Sequence, residues 1–141
     1  MERILGIDVG ATGIKGNLVD PVKGVVLEDR YKLKTPKYST PKNVLATVNS
    51  IIDHFDWQGL PVGLGFPAIV QHGITRSASN VDKKWLDFSA QEFLQKGTGC
   101  PLTMVNDADA AGLAEIVFGQ GKGIKGTVIL LTLGTGIGSA I

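Results

Sequence analysis

Residues 6–16 read Gly-Ile-Asp-Val-Gly-Ala-Thr-Gly-Ile-Lys-Gly, with four glycines, an aspartate, a threonine and a lysine in eleven positions. Such a turn can hold phosphate. Gly10 and Gly13 let successive backbone N–H groups converge, Thr12 adds a hydroxyl, and Asp8 at the mouth offers a carboxylate for hydrated Mg2+. It is not a dinucleotide or P-loop cradle, which would carry GxGxxG or GxxxxGK[ST] and open a helix. Here Lys15, Asn17 and Asp20 interleave with Ile14, Leu18 and Val19 as a strand does, so the turn joins two strands. A plain hairpin with a solvated lysine remains the alternative for this stretch alone. A second glycine-threonine turn, Leu133-Gly134-Thr135-Gly136-Ile137-Gly138, lies far along the chain. Two such turns, each following a buried strand, are what a cleft holding a polyphosphate chain from both sides needs.

The elements that must position these turns are readable from periodicity. Ile4–Val9, Ile14–Val19 and Val25–Leu27 form three short apolar runs, expected as a meander of strands. Thr40-Pro41 is an N-cap followed by a first-turn proline, and Val44, Leu45, Val48, Ile51, Ile52 and Phe55 recur at helical spacing, so a helix is expected over 41–56. A fourth strand is expected over 61–70, with residues 69–78 folding back as a hairpin. Ser89 and Glu92 match a capping box ahead of a short helix ended by Gly97 and Gly99. Leu102–Val105 is a fifth strand, Ala108–Phe118 a helix with Leu113, Ile116 and Val117 on one face, and Thr127–Leu133 a last buried strand. The order, three strands and then alternating helices and strands, is an α/β layer architecture.

The 141 residues are 43% hydrophobic with a net charge of +1, enough for one core and without the basic concentration that nucleic acid or an anionic membrane selects. No apolar run approaches the roughly 20 residues of a membrane span, and Met1-Glu2-Arg3 leads directly into the first strand. Cys100 is the only cysteine, which fits a reducing, cytoplasmic setting and a small buried thiol.

Taken together, the two turns resemble the phosphate motifs of the ROK group of sugar kinases, within the actin-like, ribonuclease-H-like phosphotransferase fold. Asp8 to Lys15 looks like the first motif and Leu133 to Gly138 like the second, and the resemblance spans nearly the whole chain. It implies an α/β lobe with a mixed five-stranded sheet and flanking helices. It also implies that Asp8, Gly10, Thr12, Gly13, Lys15, Gly134, Thr135 and Gly136 face phosphate. Asn106-Asp107 resembles the catalytic pair, with Asp107 as the general base that takes the sugar hydroxyl's proton. On its own the pair reads equally as a helix cap. Asp109 and Glu115 are weaker candidates. Gly65–Gly73 and Ser77–Leu86 resemble the polyphosphate glucokinase subgroup, which implies that Asn80, with Asn106 and Asp107, hydrogen-bonds glucose. Trp85 reads as a core or rim anchor; Lys83 and Lys84 read as a solvated loop or as steering charges for a long anion. His54 and His72 have no partner pattern.

The function so implied is transfer of a phosphoryl group from polyphosphate or ATP to the 6-hydroxyl of glucose, with Mg2+. Ala11 stands where many relatives have glycine, which matters only if that residue needs positive φ. The expected division is residues 1–126 as an N-terminal lobe and 127–141 as the opening of a second lobe, a fragment close to inactive alone and prone to homodimerise or exchange a strand. A ROK kinase for another hexose, the sugar-sensing module of a ROK transcriptional repressor, or a bare actin-like assembly domain are the alternatives.

Overall fold

The computed structural model describes residues 2–133 and 137–141. Strand β1 (Ile4–Val9) buries Leu5, Ile7 and Val9 on one face and turns at 10–13 into β2 (Gly13–Asp20), its antiparallel partner. Outside β2 lie β3 (Val25–Val26), paired with Val19 and Asp20, and β4 (Tyr31–Lys34), paired with Gly13 to Gly16. Both strands therefore share one edge of β2. On the other side of β1, β5 (Val62–Phe66) and β8 (Leu102–Asn106) add in parallel. The sheet is mixed, as expected, but has six strands in five positions, in the order β3-β2-β1-β5-β8 with β4 also on β2. β4 escaped the sequence reading because Lys32 and Lys34 break its hydrophobic run, as outward charges on an edge strand do.

Helix α1 (Pro41–His54) starts where expected: Thr40 Oγ1 accepts the Asn43 N–H at 3.3 Å, and Pro41 needs no partner in the first turn. Its buried Val44, Val48, Ile51 and Ile52 cover the sheet face that Ile7, Ile14 and Leu64 share. Approach is close at Gly16, where a Cβ would collide with Ile51 Cγ2. Helix α2 (Ala90–Thr98) ends at Gly99 in the left-handed conformation, φ 68°. The capping box does not form. Ser89 makes no side-chain cap bond, and the Glu92 carboxylate is taken by Lys96 Nζ at 2.6 Å.

Strand β5 stops at Phe66 rather than running to Val70, since Pro67 has no N–H for the ladder. The hairpin of β6 (Val70–Gln71) and β7 (Ile74–Thr75) follows. A 3-10 turn, Lys83–Trp85, then buries Trp85 completely against Phe66, ring centroids 4.6 Å apart, with its Nε1 donating to Ser39 O at 2.7 Å. Trp85 is a core anchor. Cys100 is buried, as expected.

Helix α3 (Asp107–Val117) packs on β8 and on the hairpin of β9 (Leu130–Leu133) and β10 (Ile137–Ala140). Strand β9 begins later than expected because its ladder ends at the Leu130–Ala140 pair. The expected apolar face of α3 is not buried by the described residues: Leu113 is 66% exposed, and Ile116 and Val117 more than 40%. Among the described residues no helix is long and apolar enough to cross a membrane.

Candidate active site

The parallel strands β1, β5 and β8 end at the same edge of the sheet, with Asp8 opposite Gly65 and Phe66 opposite Asn106. Crevices at the carboxyl ends of parallel strands are where α/β sheets bind ligands. Here the edge opens into a cleft of about 600 Å3, and Gly10, Ala11, Asn80, Asn106 and Asp107 all line it, together with Thr132 and Gly138 from β9 and β10. Residues from four distant stretches of sequence thus meet in one place.

The first turn is closed by the Gly10 N–H donating to Gly13 O at 3.0 Å. A Cβ on Gly10 would lie 2.9 Å from that same oxygen, so the backbone fold excludes any side chain there. Ala11 is not among the positive-φ residues, and its methyl costs the turn nothing. Thr35, just past β4, holds the turn from outside: its Oγ1 donates to Gly10 O at 2.6 Å and its N–H to Thr12 O at 3.4 Å. Sequence reading missed Thr35, because nothing local marks a residue 25 positions from its acceptor.

Asp8 and Lys15 are cross-strand partners, and Lys15 Nζ donates to Asp8 Oδ2 at 3.2 Å. Neither residue, nor Thr12 or Gly13, lines the cleft itself; they stand beside it. Asp8 Oδ1 and Asp107 Cβ each lie 3.9 Å from the point a Cβ on Gly65 would occupy, so the two are no more than about 8 Å apart. Gly65 keeps that space open. A carboxylate oxygen free of Lys15 and within about 8 Å of Asp107 Cβ fits a divalent cation held through water, since magnesium takes one or two protein carboxylates and draws its other ligands from water and phosphate.

Asn106 is the cap of α3: its Oδ1 accepts the N–H groups of Ala108 at 2.9 Å and Asp109 at 3.1 Å. Its Nδ2 donates to Ala68 O at 2.9 Å, tying the loop after β5 to the helix start. The capping role is therefore real, and one Nδ2 hydrogen is left for a ligand. Asp107 stands exposed at the first helical position, with Oδ1 accepting the Ala108 N–H at 2.9 Å and Oδ2 free. Asn80 is exposed on a loop fixed at both ends, by the Ile69 N–H to Ser77 Oγ at 3.0 Å and the Asp82 N–H to Ser39 Oγ at 3.1 Å. Asp109, the weaker carboxylate, also lines the cleft. Glu115 instead accepts the Gln120 N–H at 2.9 Å, in the turn after α3. Gly134, Thr135 and Gly136 lie outside the described residues.

Residues 4–141 match the model of the ROK family. The chain is 48% identical to a polyphosphate glucokinase of Mycobacterium tuberculosis over 137 residues, 96% of this chain and 51% of that protein. It is similar to the crystal structure of an inorganic polyphosphate/ATP-glucomannokinase from Arthrobacter sp. strain KM, TM-score 0.94 at 46% identity, covering 99% of this chain and 57% of that one. It is also similar to a ROK family glucokinase from Streptomyces griseus in complex with glucose and AMPPNP, TM-score 0.84 at 29% identity, over 98% of this chain and 43% of that one. The chain spans about half the length of the curated relatives it matches. With the actin-like architecture and a family match over nearly every residue, the chain belongs to the ROK family.

Proposed function

We propose that this chain is the glucose-binding and phosphate-binding lobe, residues 1–126, with the opening of a second lobe over 127–141, of a cytoplasmic glucokinase that uses polyphosphate or ATP. The observation that carries the reading is the single cleft in which Asp107 faces the Gly10 turn. Glucose lies against Asn80, Asn106 and Asp107, each with a polar group free of the protein's own needs. A sugar lacking the matching hydroxyl would leave those groups unpaired. The 6-oxygen attacks the terminal phosphorus of the donor, its proton passes to Asp107 Oδ2, and the bond from that phosphorus to the bridging oxygen breaks, releasing the donor shortened by one phosphoryl group. The turn with Gly10, Thr12, Gly13 and Lys15 holds the donor on one side, and Gly134, Thr135 and Gly136 hold it on the other. Asp8 would hold Mg2+ through water; when bound, the ion neutralises charge on the donor phosphates. The names of the relatives support glucose as acceptor, and that of the Arthrobacter enzyme makes mannose the first competitor to test.

Homo-association belongs to the same reading, since Leu131, Leu133 and Ile137 are each more than 60% exposed. Sedimentation should show concentration-dependent dimers; a monomer at all concentrations would remove this part.

The test is glucose 6-phosphate formation and glucose binding by this chain, with ATP and polyphosphate supplied separately, beside Asp107→Asn. Because the chain is about half the length of its relatives, turnover is expected to be low while glucose binding is retained. Glucose binding that Asn80→Ala leaves unchanged would overturn the assignment of the cleft.

A further inference from the structure

A basic row on the cleft side of the sheet extends beyond the residues used by the chemistry above. Asp8 pairs with Lys15 across β1 and β2, and Lys15 with Lys32 across β2 and β4. Residues directly opposite in antiparallel strands point to the same face, so these three form one line across the sheet. The face is the one opposite α1, because Ile14, which alternates with Lys15, is buried in the core beneath that helix. Lys34, two residues beyond Lys32 and opposite Gly13, shares it.

Lys15 is occupied by Asp8, whereas Lys32 and Lys34 are exposed and, among the described residues, make no ion pair. Lys32 does not stand straight out from its strand. Its Cε and Cδ lie 2.5 and 3.5 Å from the position of a Cβ on Gly13, so its stem crosses that glycine toward the turn. Thr35 bonds the same turn from the end of β4, so the strand and the turn form one unit. Lysines on an edge strand also deter pairing between sheets. That duty needs only an outward charge, and it does not require a stem folded over Gly13.

We propose that Lys32 and Lys34 form a track for long inorganic polyphosphate, along which the phosphates behind the transferred one leave the cleft over the Gly10–Gly13 turn. The inference rests on the reading of the cleft as a phosphoryl-donor site. Adjacent strands are about 4.8 Å apart, so β4 lies about 10 Å from β1, and a donor must extend past β2 to reach the track. Short donors end before it. A long polyanion spans it and gains a contact from each ammonium, without displacing Lys15 from Asp8.

The test measures binding of this chain to long-chain polyphosphate, tripolyphosphate, ATP and glucose by titration calorimetry at two salt concentrations. Lys32→Gln/Lys34→Gln should weaken long-chain binding about tenfold, as two exposed charge contacts within their usual range of strength would. Its salt dependence should flatten. Tripolyphosphate, ATP and glucose binding should change less than about twofold, which also shows that the variant is folded. Lys32→Arg/Lys34→Arg should restore the long-chain affinity, and Lys96→Gln/Lys122→Gln, with the same loss of charge elsewhere, should leave it intact. Long-chain affinity unchanged in the first variant, or lowered equally in the last, would overturn the track while leaving the donor site standing. If the unaltered chain binds glucose but neither polyphosphate nor ATP, the donor-site reading falls, and the track falls with it.

Discussion

At the residue scale, Asn106 and Asp107 are separable because Asn106 Oδ1 is committed to capping α3, whereas Asp107 has one oxygen bonded to the Ala108 N–H and the other free. Asp107→Asn keeps the bond from the Ala108 N–H but cannot accept a proton, so phosphorylation by the active enzyme should fall about 10^2- to 10^4-fold with little change in melting temperature. Asn106→Ala removes a helix cap as well as the proposed contact to glucose. It should cost about 1 kcal/mol of stability, read from denaturant midpoints, and weaken glucose binding together. Retained full stability would show that Asn106 does not hold the helix start. Asp20 gives the pH prediction. The Lys23 N–H first, then the Val22 N–H and the Lys23 charge, hold its carboxyl below the ordinary value against partial desolvation. A carboxyl lowered in the folded state adds stability above its unfolded pKa and loses it as pH falls through the folded value. The melting temperature should therefore drop below about pH 4, and less steeply in Asp20→Asn.

At the scale of elements, the first turn is shaped by two contacts that a sequence scan handles very differently. Gly10 is conspicuous, and Gly10→Ala should distort the turn, weakening donor binding while glucose binding persists, because the added methyl meets Gly13 O at 2.9 Å. Thr35 is inconspicuous. Thr35→Val leaves Gly10 O without its donor and should cost about 1 kcal/mol in urea unfolding, with Thr35→Ser restoring most of it. Equal losses in the valine and serine variants would mean that the methyl, not the hydroxyl, matters. The loop bearing Asn80 depends on Trp85, buried between Phe66 and Phe88, its Nε1 bonded to Ser39 O. Trp85→Ala should destabilise by about 3–5 kcal/mol and loosen glucose binding with it, since the loop loses its inner anchor. The short helix α2 is a lesson in the other direction: Ser89 and Glu92 have the capping-box spacing, yet Glu92 reaches forward to Lys96, a surface pair that competes for the same carboxylate.

At the scale of the whole molecule, strand direction decides where the cleft lies. Parallel pairing of β1, β5 and β8 brings three carboxyl ends to one edge, and the sequence around each end carries a polar group: Asp8, the loop to Asn80, and Asn106-Asp107. The sequence by itself determined the pieces that depend on neighbours along the chain. Short apolar runs marked β1, β2 and β8, the Thr40-Pro41 start and the spacing of Val44, Val48 and Ile51 marked α1, and the glycines at 10 and 13 marked the tight turn between β1 and β2. All of these follow from local sterics and periodicity. Only the tertiary structure decided that Asp107 faces the Gly10 turn, that Thr35 braces that turn, that β4 shares an edge with β3, and that the apolar side of α3 is left open by the described residues. Each depends on how whole elements pair and pack. Its energy comes from sheet register and packing, for which periodicity carries no signal.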